Sequence, residues 1–144
     1  MQKNSQKLDT EPSPSLAIHV PLPPERRSIT HKFRVGGVKA YLTVGQYPNG
    51  KVGEVFLVVD RVGSLAHSAF GLVALMMSVA LQHGVPLKTL TEKLIGVNGD
   101  PSGLTGNPSI PLARSIFDYI GRWLELKFLP KEDSTLPSSQ GETR

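Results

Sequence analysis

The chain contains no cysteine. That one absence excludes disulfides, thiolate nucleophiles, cysteine-type zinc sites and thiyl-radical chemistry, and it leaves the redox compartment unread. Histidine is sparse as well. His19, His31, His67 and His83 show no H-E-x-x-H or related spacing, so neither a metal nor another cofactor is expected. Long charge runs are missing, the densest being the "ERR" of Glu25–Arg27. The N-terminus has lysines but no apolar h-region, which argues against a secretory signal. The most apolar stretch, Leu65–Leu81, includes His67, Ser68 and Ser78 and falls short of the roughly 20 residues of a membrane span. No membrane partner is expected, and a cytoplasmic location is the default.

What is present is one domain's worth of chain, 144 residues with a formal net charge of +4. Between Glu25 and Leu129 there are 12 Lys/Arg against 7 Asp/Glu, so the surplus sits in the part expected to fold. A mildly basic domain suits a phosphate-bearing partner, and scattered charge favours a free nucleotide over duplex nucleic acid.

Proline-rich residues 1–24 and the polar stretch 130–144 read as disordered tails around a single domain at 25–129. Within it, "SITHKFRV" (Ser28–Val35) alternates apolar and polar residues as a half-buried strand does. Gly36-Gly37 marks a tight turn into a second strand, Val38–Tyr47. Asn49-Gly50 marks another, into Val52–Asp60. The third strand is almost continuously apolar and is expected to be covered on both faces. Ser64 is the expected N-cap of a helix over Leu65–His83, apolar nearly all round, which points to a central position or a subunit interface. Gly84 and Pro86 end it. A short helix over Pro86–Ile95 follows. A last amphipathic helix is expected to start at Pro111 and run to about Phe128. The fold class is therefore α+β: a three-stranded antiparallel meander followed by a long apolar helix, a short helix and a C-terminal amphipathic helix.

Two segments attract attention as binding sites. The loop "DPSGLTGNPS" (Asp100–Ser109) combines Gly103 and Gly106 with Ser102, Thr105 and Asn107, and glycines at positive φ can turn successive N–H groups toward an anion. An adjacent helix N-terminus adds positive partial charge. The same residues also make an ordinary capped turn, and no Gly-Lys-Ser/Thr follows, so this is not a P-loop. The first strand brings Arg26, Arg27, Lys32 and Arg34 together, with Thr30, Lys32 and Arg34 on one face. Such charges also protect an edge strand from unwanted pairing. Tyr41 or Tyr47 could stack on a base. Arg114, Asp118 and Arg122, spaced i, i+4, i+8, form either a solvated ladder or a second cationic site.

Four fragments, "ERRSITHKFRVGG", "YLTVGQYPNGKVGEVFL", "LQHGVPLKTL" and "PSGLTGNPSIPLARSIFDYIGRWL", occur in that order across residues 25–128. Together they resemble the C-terminal TSCPD-type domain of adenosylcobalamin-dependent (class II) ribonucleotide reductases. Radical reduction in that family needs cysteines and a large barrel, and this chain has neither. The cysteine of the nominal TSCPD motif is also missing. The resemblance thus implies a non-catalytic accessory domain of deoxyribonucleotide metabolism that binds a nucleotide or phosphate ligand. It would self-associate through its apolar helix or serve a reductase subunit. A stand-alone protein that sequesters a nucleotide messenger, as a viral anti-defence factor would, and a pure protein–protein assembly module are the alternatives.

Overall fold

A computed structural model describes residues 18–131. The meander forms as the alternation requires: β1 (Ser28–Val35), β2 (Val38–Gln46) and β3 (Val52–Val59) lie antiparallel in the order β1-β2-β3. Gly36 and Gly37 take φ of 56° and 83° in the first turn, the left-handed pair that a two-residue hairpin demands. Register follows from that turn, setting Arg34 opposite Lys39, Lys32 opposite Tyr41 and Thr30 opposite Thr43. Phe33, Val35, Ala40, Leu42, Val44, Val55, Leu57 and Val59 face inward and are buried.

The long helix α1 (Ser64–Gln82) does not occupy the centre. It lies along the open edge of β3. There the Ser78 hydroxyl donates to the Val55 carbonyl at 3.0 Å and accepts from the Val55 amide at 2.9 Å. A helix hydroxyl thus satisfies groups that a fourth strand would otherwise seek. Phe70, Ala74, Met77 and Leu81 form its buried side, and Phe70 meets Phe117 of the last helix. By length and composition α1 could cross a membrane, although its inner face is committed to the sheet. Gly63 holds the N-cap position expected of Ser64, which is the first helical residue. The expectation that β3 is covered on both faces also fails. Helix packing on the strand's edge leaves Phe56 and Val58 about half exposed on the sheet's outer face.

α2 (Leu87–Leu94) packs on the last helix, and Gly84, at φ 86°, follows the end of α1 as expected. The largest departure comes next. Residues expected as a loop and helix start form a hairpin, β4 (Gly103–Asn107) and β5 (Ile110–Ala113). Pro111 therefore sits in a strand. It falls at the register irregularity between the Leu104–Leu112 and Asn107–Ile110 pairs, where proline is tolerated in a strand. The last helix, α3 (Ile116–Phe128), begins five residues later than expected, where Ser115 accepts the Asp118 amide in its side-chain cap. α3 lies across the inner face of the meander, its Tyr119 stacked on Phe33 and its Trp123 on His31. Residues 18–24 carry no regular secondary structure but are tied to the body. The Val20 amide donates to Gln82, and the Tyr47 hydroxyl donates to the Val20 carbonyl at 2.6 Å. The packed unit thus begins before residue 25, within the tail expected over 1–24, whereas residues 1–17 of that tail and 132–144 of the one expected over 130–144 lie outside the described residues.

The hairpin is tied to the meander at one narrow point. The Gly36 amide donates to the Leu104 carbonyl at 3.0 Å, and a Cβ on Gly36 would stand 2.3 Å from the Ser102 carbonyl oxygen. Gly36→Ala is expected to destabilise the domain by about 2 kcal/mol or more, because backbone rather than a flexible side chain would have to move. Gly37→Ala meets nothing within 4 Å and should cost about 1 kcal/mol, the left-handed strain alone. Denaturant melts of the two variants separate contact from conformation.

Candidate functional site

Apart from the end where Arg26 pairs with buried Glu54, the outer face of the sheet is open, and it gathers part of the predicted set. Thr30, Lys32 and Arg34 project from β1, Tyr41 and Lys39 from β2, and cross-strand pairing places them side by side. At one corner Arg34, Lys39, Asp60 and Arg61 line a notch of ≈ 160 Å³, three cations to one carboxylate. Lys39 Nζ stands 3.4 Å from Asp60 Oδ2 and 6.0 Å from the centre of the Tyr41 ring. Arg61 holds its position in a left-handed conformation, φ 54°. Neither Lys39 nor Arg61 belongs to a motif that marks it in the sequence. The Gly36-Gly37 turn already implies that Arg34 faces Lys39, whereas the Arg61 conformation has no sequence signal.

Other predicted residues are committed elsewhere. Arg26 makes a two-pronged ion pair with Glu54, at 2.5 Å and 2.9 Å. Glu54 is buried above Gly45, where a Cβ would strike its carboxylate at 2.3 Å. Arg27 is exposed just before β1. Tyr47 lies toward the opposite end of the sheet from the notch, its ring against Gly53 and its hydroxyl on Val20. Burial, then the Glu54 charge, pushes its phenol up from the ordinary value.

The predicted phosphate loop closes on itself. Thr105 donates its hydroxyl to the Ile110 carbonyl and accepts the Asn107 amide at 3.1 Å, while Asn107 Oδ1 accepts the Ser109 amide at 3.0 Å. Gly106, at φ 74°, serves this turn. Asn107 Nδ2 donates to the Tyr119 hydroxyl on the inner side of the sheet, away from Arg34. Ser102 and Gly103 instead border a hollow of ≈ 790 Å³ shared with Arg114 and Arg122 but with no residue of β1. The hollow beside Ser102 and Gly103 and the notch beside Arg34 have separate linings, although β4 packs beside the end of β1.

Nor is the start of α3 open to an anion, because Asp118 fills it. Its carboxylate accepts the Gly96 amide at 2.8 Å and the Arg114 amide at 2.9 Å and pairs with Arg122 at 3.2 Å. A buried carboxylate at the third helical position meets the positive end of the helix from within the protein. The expected ladder along one helix is thus a buried clamp. Arg114 precedes the helix and is reached through its backbone. Arg122 also donates to the Leu112 carbonyl, and its Nε is buried without a partner.

Beneath the sheet, His31, Phe33, Tyr119 and Trp123 stack, with His31 and Trp123 centroids 4.4 Å apart. Asn107 Nδ2 donates to the Tyr119 hydroxyl at 3.0 Å, and that hydroxyl shares a second hydrogen bond with His31 Nε2 at 2.9 Å. Burial, and then the Lys127 charge, hold His31 below the ordinary imidazole value, and burial keeps the Tyr119 phenol protonated. The unfolded chain then binds more protons than the folded one below about pH 6.5. Stability is expected to be full above that pH and to fall as pH drops through the lowered folded value. His31→Phe should keep the stack and remove this response, which thermal melts between pH 7.5 and 5 would show.

The domain is a two-layer α+β unit with one open, basic sheet face, and among the described residues no cluster of three or more His, Asp or Glu could hold a metal. The TSCPD domain model matches residues 12–128, and the chain belongs to that family. It is 38% identical over 123 residues to a vitamin B12-dependent ribonucleotide reductase of Rhodopirellula baltica, covering 85% of this chain and 12% of that protein. The like-named protein of Streptantibioticus cattleyicolor is 43% identical over 111 residues, 77% of this chain and 18% of that one. That of Streptomyces avermitilis is 42% identical over 111 residues, again 77% and 12%. The chain thus spans less than a fifth of the length of these relatives. No solved structure matches it.

Proposed function

We propose that this chain is a non-catalytic accessory domain of nucleotide metabolism that holds the phosphates of a nucleotide on the open face of its sheet. The observation that carries the reading is the convergence of Arg34, Lys39 and Arg61 on a phosphate-sized notch beside Tyr41. At ≈ 160 Å³ the notch is too small for a whole nucleotide, as ligand pockets run to about 300 Å³ or more. The base would lie outside it, against the half-buried Tyr41 ring between Lys32 and Val58. Each charge-assisted hydrogen bond adds roughly 1.5–3 kcal/mol, so two or three sum to about 3–9 kcal/mol, a Kd from the millimolar to the micromolar range. The relatives' names, which refer to ribonucleotide reductase, support a nucleotide as the ligand. The absence of cysteine supports a role in holding it rather than reducing it.

Calorimetry with dATP, ATP, tripolyphosphate and adenosine tests the reading. Both nucleotides are expected to bind and be recovered intact, tripolyphosphate to bind more weakly, and adenosine to give no heat. Affinity should fall with added salt. Silence from every phosphate compound at millimolar concentration would remove the proposal.

A further inference from the structure

A second surface lies apart from the notch and meets the proposed base site only at Val58. α1 has no Asp, Glu, Lys or Arg, and its solvent side exposes Leu65, Leu72, Leu75, Met76 and Val79. Phe56 and Val58 continue this patch across the crease at Gly71 and Leu75. From their fractional exposures the seven apolar residues present on the order of 800 Å², the contribution of one partner to a standard interface. Exposed apolar patches of this size are rarely left uncovered.

From this we propose that α1 pairs with α1 of a second copy of this chain, antiparallel about a two-fold axis at Leu72. The seam is self-complementary under that operation. Leu65 falls opposite Val79, Leu72 opposite itself, Ser68 opposite Met76 and Ala69 opposite Leu75, so each large side chain outside the axis meets a smaller one. All of these residues but Leu72 itself lie seven, four or three positions from the axis, the spacing of one helix stripe. A two-fold interface requires such reciprocity, with residue i meeting j and j meeting i. Net charge does not oppose the pairing, since a seam without ionisable side chains brings no like charges together. A membrane surface fits less well. Helices that lie on membranes carry a Lys/Arg-rich polar face, whereas the other face of α1 is packed on β3 through Ser78.

Because the chain has no native cysteine, single thiols can read the register directly. Sedimentation of the full chain at 100 μM should give a dimer, and Leu72→Glu a folded monomer, with helicity checked by circular dichroism. Under mild oxidation Leu72→Cys is expected to cross-link to itself at least tenfold faster than Leu65→Cys or Val79→Cys. Those two should cross-link when mixed. If Leu72→Glu does not fold, the thiol series decides alone. A wild-type monomer at 100 μM, a monomer that binds anionic or neutral vesicles, or equal cross-linking at all three positions would each overturn the pairing.

Discussion

Asp118→Ala is expected to lower stability by about 3–5 kcal/mol, enough to unfold a marginal domain at 37 °C. The carboxylate is buried and serves three partners in different segments: the Gly96 amide after α2, the Arg114 amide after β5, and Arg122 one turn along α3. Truncation orphans two backbone donors and leaves a partly buried guanidinium whose Nε already has no partner. It also strips the negative charge from the start of α3. Asp118→Asn keeps an oxygen for one amide and should lose less, on the order of 2 kcal/mol. Urea melts of the two variants make the comparison. Equal and small losses would mean that the clamp is incidental to the fold.

Reversing charge at the notch has the second large effect, and it falls on binding rather than folding. Arg34→Glu with Lys39→Glu should weaken nucleotide affinity at least a hundredfold, since two charge-assisted contacts of about 1.5–3 kcal/mol each become repulsive. The expected cost to stability is small, because both side chains stand on an exposed face and Lys39 pairs with a half-exposed Asp60. Reversal of Arg26 should do the opposite. It breaks the pairing with buried Glu54 and costs stability, while the notch, at the other end of the sheet, keeps its ligand.

The parts of the fold that could be read from the sequence are those governed by local rules. Period-two alternation in Ser28–Val35 and the Gly36-Gly37 turn set the first two strands and their register, and with it the row of Thr30, Lys32 and Arg34, while Asn49-Gly50 marks the turn into the third. What escaped depends on contacts distant in sequence. Helix α1 looks central by composition, yet Ser78 fastens it to the edge of β3 and one side stays exposed. The β4–β5 hairpin was hidden because Gly103, Gly106, Asn107 and Pro108 read as loop chemistry. The short strands are held by backbone pairing and by the Thr105 contact with Ile110. Pro111 imitated a helix start, while the real one, Ser115 followed three residues on by Asp118, is a capping pattern visible in the sequence. For the site, the cations of β1 were legible. Tertiary structure alone joins Arg61 to Arg34 and turns Asn107 inward to Tyr119.

A titration of dATP into the ¹⁵N-labelled chain, followed residue by residue by NMR, tests the central claim most directly. Shifts that saturate together at Lys32, Arg34, Lys39, Tyr41 and Arg61 are what the open sheet face predicts. Shifts confined to Ser102, Gly103, Arg114 and Arg122 beneath the hairpin, or none at all, would contradict it.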